Sequence, residues 1–237
     1  MKLVGHVPSA GTRPRAPLDP FSRRRRIFLL SPANASGVRA SWILGDSARS
    51  CWAERLRGEG APLGEVFSFI SGLYFRGKLA YARAYADPPS GTPGVMVITA
   101  SGGLISPDKL VTINELRDIS AVPIEAEEPR YRIPLERDAQ LLCDHMGSDC
   151  EVVLLGSIAT PKYVRPLVSV FGDRLVFPAE FVGRGDMSRG GLMLRCEREG
   201  IQLTYVPAVE AAYAGSRPPK LPKADNRAKR AAHRRRS

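Results

Sequence analysis

The sequence lacks the cysteine and histidine patterns that zinc centres require. Its four cysteines, at positions 51, 143, 150 and 196, include no C-x-x-C pair, and the chain has only three histidines. Zinc sites need thiolates and imidazoles at close, repeated spacings, so we expect no metal and no other cofactor. Unpatterned cysteines are typical of proteins in a reducing compartment, which predicts a cytoplasmic location.

Long apolar runs are also missing. The longest uninterrupted apolar runs are about as long as residues 27–30. A segment that crosses a bilayer needs roughly 20 apolar residues, so we expect no membrane association. The first 26 residues contain proline and arginine but no apolar segment of a secretion signal. Neither a Walker A motif nor a complete G-x-G-x-x-G pattern is present. A hydrophobic content of 43% in 237 residues is nevertheless enough for a well-packed core.

Positive charge is abundant, but it is concentrated at the two ends of the chain. The 35 Lys and Arg against 24 Asp and Glu give a net charge of +11. Residues 1–26 contribute +6 and residues 216–237 contribute +8, which leaves −3 for residues 27–215. We therefore predict two basic, disordered tails, 1–26 and 216–237, and a single folded domain, 27–215.

The basic tails have two interpretations. They could bind phosphate backbones of nucleic acid non-specifically through counterion release. They could equally be solvated extensions without a dedicated partner. No aromatic residue follows Arg217, so the C-terminal tail has no means of stacking on bases.

Short apolar segments separated by helical patterns predict the fold. Such alternation is typical of a mostly parallel sheet with helices on both faces, which is a three-layer α/β fold. We also predict a C-terminal β-hairpin from residues 192–195 and 201–205. The other predicted strands are residues 27–30, 95–99, 152–155 and 175–177.

Several helices can be placed with their ends. Residues 63–86 are expected to be helical with a break near Ser71 and Gly72, and Tyr74, Lys78, Tyr81 and Tyr85 fall on one stripe of the second part. Thr112 followed by Glu115 is a capping box. Further helices are predicted to begin at Pro134 and at Pro161.

The loops that follow the predicted strands are the candidate ligand site. Ligands of open α/β sheets bind beyond the carboxyl ends of the strands, so these loops should gather at one edge. Glycines allow close approach of the backbone, and hydroxyls bind oxyanions. In the first two loops the candidate ligand-binding residues are Ser31, Asn34, Ser36, Ser101 and Gly102.

The loop after the third predicted strand is suited to a phosphate or a carboxylate. Ser157, Thr160 and Lys162 supply two hydroxyls and a cation at the start of a helix, where backbone N–H groups favour anions. The alternative is a well-capped helix without a ligand.

The glycine-rich segment 178–191 is the densest candidate. Arg184 and Arg189 could clamp an anion, and Glu180 or Asp186 could act as a catalytic acid or base. The alternative is a connecting loop with internal Arg–Asp pairing.

A resemblance covers roughly residues 27–110. The segments Ile27-Phe-Leu-Leu-Ser-Pro-Ala-Asn-Ala-Ser, Leu73-Tyr-Phe-Arg-Gly-Lys-Leu-Ala-Tyr-Ala and Val97-Ile-Thr-Ala-Ser-Gly-Gly-Leu-Ile-Ser-Pro-Asp resemble uncharacterised bacterial α/β proteins and, more distantly, YaaA-type and archaeosine-synthase-type domains. The chain departs from those domains in the first loop, where Ala33 and Val38 stand near their Cys and Lys. The resemblance implies a role linked to nucleobases or nucleic acid.

Two functional hypotheses follow from the sequence. The first is a cytoplasmic α/β protein that binds a nucleotide-like or other anionic ligand at its strand-end loops, either as an enzyme acting on nucleobases or nucleic acid or without catalysis. The alternative is a non-catalytic nucleic-acid-binding or scaffold module that acts through its basic tails.

Overall fold

A computed structural model describes residues 24–35 and 37–208 of the chain. It contains a six-stranded sheet with helices on both faces and a separate two-stranded sheet. Ser36 and nearly all of both predicted tails, residues 1–23 and 216–237, lie outside the described residues. The strands are β1 (Arg25–Leu30), β2 (Ala61–Pro62), β3 (Val95–Ile98), β4 (Leu104–Ile105), β5 (Leu110–Val111), β6 (Cys150–Leu155), β7 (Leu175–Pro178) and β8 (Tyr205–Pro207).

The helices connect these strands in chain order. Two short 3-10 helices, Gly172–Arg174 and Ala179–Phe181, flank β7. The α-helices are α1 (Val38–Leu44), α2 (Cys51–Arg57), α3 (Leu63–Ser71), α4 (Leu73–Tyr85), α5 (Ile113–Asp118), α6 (Pro129–His145), α7 (Pro161–Phe171) and α8 (Asp186–Glu199).

The main sheet has the strand order β4-β3-β1-β6-β7-β8. Its four central strands, β3, β1, β6 and β7, are parallel, and each edge strand is antiparallel to its neighbour. From β1 the chain reaches β3 on one side, and it then crosses to β6 on the other side of β1. The exit loops of β1 and β6 therefore lead in opposite directions, and a crevice opens between them.

The central strands form because their sequences are apolar on both faces. Ile27 to Leu30 of β1 and Val152 to Leu155 of β6 have no exposed surface, as expected for parallel strands that helices cover on both sides. β1 and β6 pair along their whole length, from Arg25 opposite Cys150 to Leu30 opposite Leu155. Both strands therefore end at the same level, and their exit loops begin side by side.

The closest helix contact is between α4 and α8, and it depends on two glycines. A Cβ atom on Gly77 would lie 2.6 Å from the carbonyl oxygen of Gly190, and one on Gly190 would lie 2.7 Å from that of Leu73. Real Cβ atoms do not approach backbone this closely, so only glycine allows this separation. The contact brings the first turns of α8 beside the first turns of α4.

The three-layer α/β fold predicted from the sequence is confirmed, with an antiparallel strand pair closing the C-terminal side of the sheet. That pair is β7 with β8, and the residues assigned to the hairpin need correction. Residues 192–195 lie inside α8, because Arg189, Leu192, Met193 and Cys196 form one buried helical face. A run of three apolar residues fits either a strand or a helix, so periodicity did not decide between them.

Other boundaries differ by smaller amounts. β1 begins at Arg25, within the segment assigned to the N-terminal tail, because Arg24 and Arg26 both pair with Glu151 on β6. The helix expected to begin at Pro134 begins at Pro129, where the carboxylate of Glu128 accepts a hydrogen bond from the Arg130 amide. The capping box of Thr112 and Glu115 is present.

The glycine contact gives a test of the fold with a matched control. We expect Gly190→Ala to lower the free energy of unfolding by about 1–3 kcal/mol, because the new methyl group meets the α4 backbone. Gly191→Ala should instead raise it by up to about 1 kcal/mol, since a methyl group on this helical glycine would meet no neighbouring heavy atom within 4 Å. Urea unfolding of both variants measures the two changes in the free energy of unfolding. Equal changes in the two variants would contradict the close contact between α4 and α8.

Candidate functional site

A cavity of about 720 Å³ lies at the carboxyl ends of β1, β3 and β6. The polar and charged side chains of its wall come from the loops and helix starts that follow these strands and from α3, α4, α5 and α8. They are Ser31, Asn34, Ser71, Tyr74, Arg117, Ser120, Ser157, Lys162, Tyr163 and Asp186.

The position of the cavity follows from the topology of the sheet. Open α/β sheets form a ligand crevice where adjacent strands send their connections in opposite directions, as β1 and β6 do here. The Ser31 amide donates to the Leu155 carbonyl at 3.1 Å, which continues the strand pairing by one residue. Gly156 then passes beside Ser31, and a Cβ there would lie 3.1 Å from the Ser31 Cβ. Ser31 is thus held at the floor of the crevice.

Behind Ser31 lies a fully buried lysine. Lys78, in the middle of α4, has no exposed surface, and its Nζ donates to the backbone carbonyl oxygen of Ser31. The same Nζ lies 2.9 Å from Ser31 Oγ. The ring centroids of Tyr74 and Phe75 are 4.5 and 4.8 Å from Nζ, so aromatic faces fill the rest of its surroundings.

The electrostatics of Lys78 are unusual for a lysine. The pKa of its amine is lowered to about 7, chiefly by burial; the Asp186 carboxylate opposes this shift, and the Arg189 guanidinium adds a smaller lowering. Asp186 pairs with Arg189 at 3.7 Å, and Lys78 makes no ion pair within 4 Å among residues 24–35 and 37–208. A neutral amine is therefore readily accessible near pH 7.

The opposite wall carries groups that favour an anion. Lys162 lies in the first turn of the 11-residue helix α7, which has Pro161 at its first helical position, and the start of a helix favours anions. The Thr160 side chain makes no capping hydrogen bond to the first amides of this helix. Ser157 adds a hydroxyl on the same loop, and its Oγ accepts from the Ala159 amide at 3.3 Å.

Aromatic and apolar side chains complete the cavity. Phe67, Tyr74 and Tyr163 lie on its wall, together with Leu44, Ile119, Val122 and Ile124. Burial raises the pKa values of Tyr74 and Tyr163, so both phenols stay neutral at ordinary pH. The buried Tyr74 hydroxyl makes no hydrogen bond in the described part of the chain. The cavity therefore combines aromatic and apolar surfaces with polar groups.

Five of the residues predicted from the sequence line this one cavity. Ser31, Asn34, Ser157, Lys162 and Asp186 come together from the loops after β1 and β6, the first turn of α7 and the start of α8. Their sequence separation reaches more than 150 residues, so the parallel sheet is what unites them. Ser36 falls outside the described residues.

The glycine-rich segment contributes less than predicted. Arg184 does not line the cavity, because its Nε donates to the Glu180 carbonyl at 2.8 Å. Glu180 also lies elsewhere, and its carboxylate accepts from the Thr204 amide at 2.9 Å. Arg189 is buried behind the wall, where it donates to the Phe181 carbonyl and approaches Lys78. Neither arginine clamps a ligand in the cavity.

Three other predicted residues have local structural roles. Ser101 donates to the Asp118 carbonyl at 2.9 Å, and the Gly102 amide donates to Thr99 Oγ1 at 3.0 Å. Both belong to the tight turn between β3 and β4, and their neighbour Ala100 is the residue of this loop that reaches the cavity. Thr160 is the exposed N-cap of α7 and lies beside the cavity wall.

Sequence reasoning missed Lys78 and Arg117. Lys78 was on the stripe with Tyr74 and Tyr81, and a lysine among buried aromatic residues at helical spacing is the signal that could have identified it. Arg117 reaches the cavity from α5, where its guanidinium also bonds the Leu44 carbonyl and Asp46. No pattern in the sequence indicated that α5 would form part of the site.

Metal and membrane features are absent from the described ranges. No group of three or more His, Cys, Asp or Glu residues there is arranged to hold a metal ion. None of the helices within those ranges combines the length and the apolar character needed to cross a membrane.

Comparison with protein-family models, with curated proteins and with solved structures finds no match for this chain.

The buried lysine makes stability depend on pH in a defined direction. An unfolded lysine binds its proton up to about pH 10.5, whereas folded Lys78 releases it near pH 7, so the unfolded chain binds more protons between these values. The free energy of unfolding should therefore rise with pH in this window, by about 1.4 kcal/mol for each pH unit at most.

Urea unfolding at pH 6 to 10 tests this, with Lys78→Met compared against the natural chain. Each protein gives a profile of the free energy of unfolding against pH. Subtracting one profile from the other cancels the contributions of the other titrating groups, so the remaining rise in the free energy of unfolding is assigned to Lys78. Lys109→Met, at an exposed lysine paired with Glu115, should follow the natural profile. A Lys78→Met profile parallel to that of the natural chain would contradict the lowered pKa.

Proposed function

We propose that this α/β protein binds an anionic, nucleotide-like ligand in the cavity at the carboxyl ends of β1, β3 and β6, as an enzyme acting on nucleobases or nucleic acid. The observation that carries the proposal is the convergence of Lys162, at the start of α7, with Ser31 and Ser157 on one cavity. Such groups bind phosphate or carboxylate oxygens.

Charge supports an anion over a cation. The charged side chains of the wall are Arg117, Lys162 and Asp186. Arg117 pairs with Asp46 and Asp186 pairs with Arg189, which leaves Lys162 as the wall cation that makes no ion pair within 4 Å in the described residues. The Lys162 ammonium also lies 5.1 Å from the centre of the Tyr163 ring, which directs it along the wall. The excess of positive charge is local, since residues 27–215 carry a net charge of −3.

Size and apolar surface support a ligand with a flat ring system. Small-molecule sites commonly have volumes of about 300–1,000 Å³, and this cavity falls within that range. Phe67, Tyr74 and Tyr163 offer aromatic surfaces for a base, while Lys162 and the serines of the wall would hold the phosphate. The resemblance of residues 27–110 to YaaA-type and archaeosine-synthase-type domains is a further reason to choose nucleotides.

Catalysis and location are part of the same proposal. Asp186 is the predicted acid or base that does reach the cavity wall, and its side chain is 67% exposed, so a ligand can contact it. All four cysteines are free thiols, which suits a reducing cytoplasm. A nucleic-acid partner for the basic tails would be revealed by salt-dependent binding of duplex DNA that mononucleotides do not displace.

Replacement of Lys162 tests the anion site. We expect Lys162→Gln to weaken binding of nucleoside monophosphates about 10- to 100-fold, since a hydrogen bond to a charged group contributes roughly 1.5–3 kcal/mol. Isothermal titration calorimetry with the four common monophosphates, their free bases and inorganic phosphate measures the affinities.

Arg184→Gln is the matched control, because this arginine comes from a predicted loop but lies away from the cavity. It should bind as the natural chain does. If the natural chain binds none of these compounds, or if both variants lose binding equally, the proposed site is wrong.

A further inference from the structure

We propose that Ser31 is a nucleophile and Lys78 its general base, and that the cavity hydrolyses a carboxylic ester whose substrate carries an anionic group. The inference rests on the proposed function only for that anionic group, which Lys162 and the start of α7 would hold. Formation of an acyl-serine depends on Ser31 and Lys78 alone.

The two side chains have the geometry of a nucleophile and its base. Ser31 Oγ and Lys78 Nζ are 2.9 Å apart, within the roughly 2.6–3.2 Å that allows direct proton transfer. The Ser31 carbonyl accepts a second hydrogen bond from Nζ and so orients the amine. The rings of Tyr74 and Phe75 restrict the amine from the other side. The base is thereby aimed at one hydroxyl.

The surroundings of Lys78 favour an amine that can accept a proton. The charged groups that influence it are Asp186 and Arg189, both on α8, and these two pair with each other. The groups nearest to Nζ are the uncharged Ser31 and the aromatic rings of α4 itself. No carboxylate lies within 4 Å of Nζ in the described residues, so no ion pair compensates the burial of a charged amine there.

Ser31 is accessible from the cavity while Lys78 is not. Ser31 is 5% exposed and lies on the cavity wall, whereas Lys78 has no exposed surface. Ser31 therefore borders the space that a substrate would occupy, whereas the amine is shielded from water. A Cβ on Gly156 would lie only 3.3 Å from Ser31 Oγ, so the β6 exit turn passes directly beside the nucleophile. The N–H groups of that turn are the candidates to stabilise the oxyanion.

The reaction balances with water as the second substrate. Ser31 Oγ forms a bond to the ester carbonyl carbon as its proton moves to Lys78 Nζ. The bond from that carbon to the alcohol oxygen then breaks, and the departing oxygen takes the proton from Nζ. Water attacks the acyl-serine, gives a proton to Nζ, and releases a carboxylic acid as Ser31 Oγ recovers its proton.

Covalent labelling with diisopropyl fluorophosphate tests the pair without knowledge of the substrate. The full chain is incubated with the reagent between pH 5.5 and 9, and intact mass and peptide mapping follow the modification. We expect a single label on Ser31, with a rate that rises through a midpoint near pH 7 as the amine loses its proton. Ser31→Ala should abolish labelling, and Ser148→Ala, at an exposed serine, should not change it.

Replacement of the base gives a second measure. Lys78→Met should slow labelling at least 100-fold, the usual lower bound for loss of a general base, whereas Lys109→Met should leave the rate unchanged. If Lys78→Met does not fold, as judged by circular dichroism, the pH profile of the natural chain still decides. No labelling of the natural chain, or labelling with no midpoint between pH 6 and 8.5, would falsify the proposal.

The outcome separates this inference from the proposed function. Monophosphate binding without any label on Ser31 would overturn the nucleophile and leave the anion site in place. A label on Ser31 without binding of any anion would support the nucleophile and remove the anion site.

Discussion

The hydrogen bonds between the Lys78 amine and Ser31 fix the floor of the cavity at the carboxyl ends of the strands. They join the middle of α4 to the end of β1, and they hold Ser31 beside the β6 exit turn. A buried lysine destabilises a protein unless its polar atoms are bonded or its charge is released. Here the strand-end carbonyl and hydroxyl supply the bonds, and burial lowers the pKa of the amine. The cavity floor and the state of the lysine are therefore set by the same contacts.

The close contact of α4 with α8 connects the glycine-rich segment to this arrangement. Gly77 and Gly190 let the two helices approach until Asp186 and Arg189 influence the Lys78 amine. The arginine does not touch the cavity, yet it contributes to the low pKa of the lysine and to the position of Asp186. A segment that is distant in sequence from Ser31 thus acts on the site through packing.

Much of the fold could be predicted from residue patterns. The buried strands β1, β3, β6 and β7 are short apolar runs between helical segments, and parallel strands place their exit loops at one edge. That rule also located Ser31, Asn34, Ser157 and Lys162 correctly at one cavity. Such predictions succeed because they need only local sequence and the direction of the strands.

The remaining features depend on contacts between distant segments. Residues 192–195 are helical because α8 packs on α4. The three apolar residues in this segment give no indication in the sequence that α4 will be their neighbour. Arg184 and Glu180 have the chemistry of a site, but each bonds a nearby backbone group instead. The contact between Lys78 and Ser31 forms because α4 packs against the end of β1, and the local sequence of neither segment indicates it.

The protonation of Lys78 is the most direct test of this account. An NMR titration of the full chain, with the lysine side chains labelled with ¹³C and the Lys78 signal assigned through Lys78→Met, measures the pKa of this amine. We expect a midpoint near 7, well below the ordinary lysine value of about 10.5. A midpoint near 10.5 would show that Lys78 remains charged at neutral pH and would contradict the proposal that it acts as a base for Ser31.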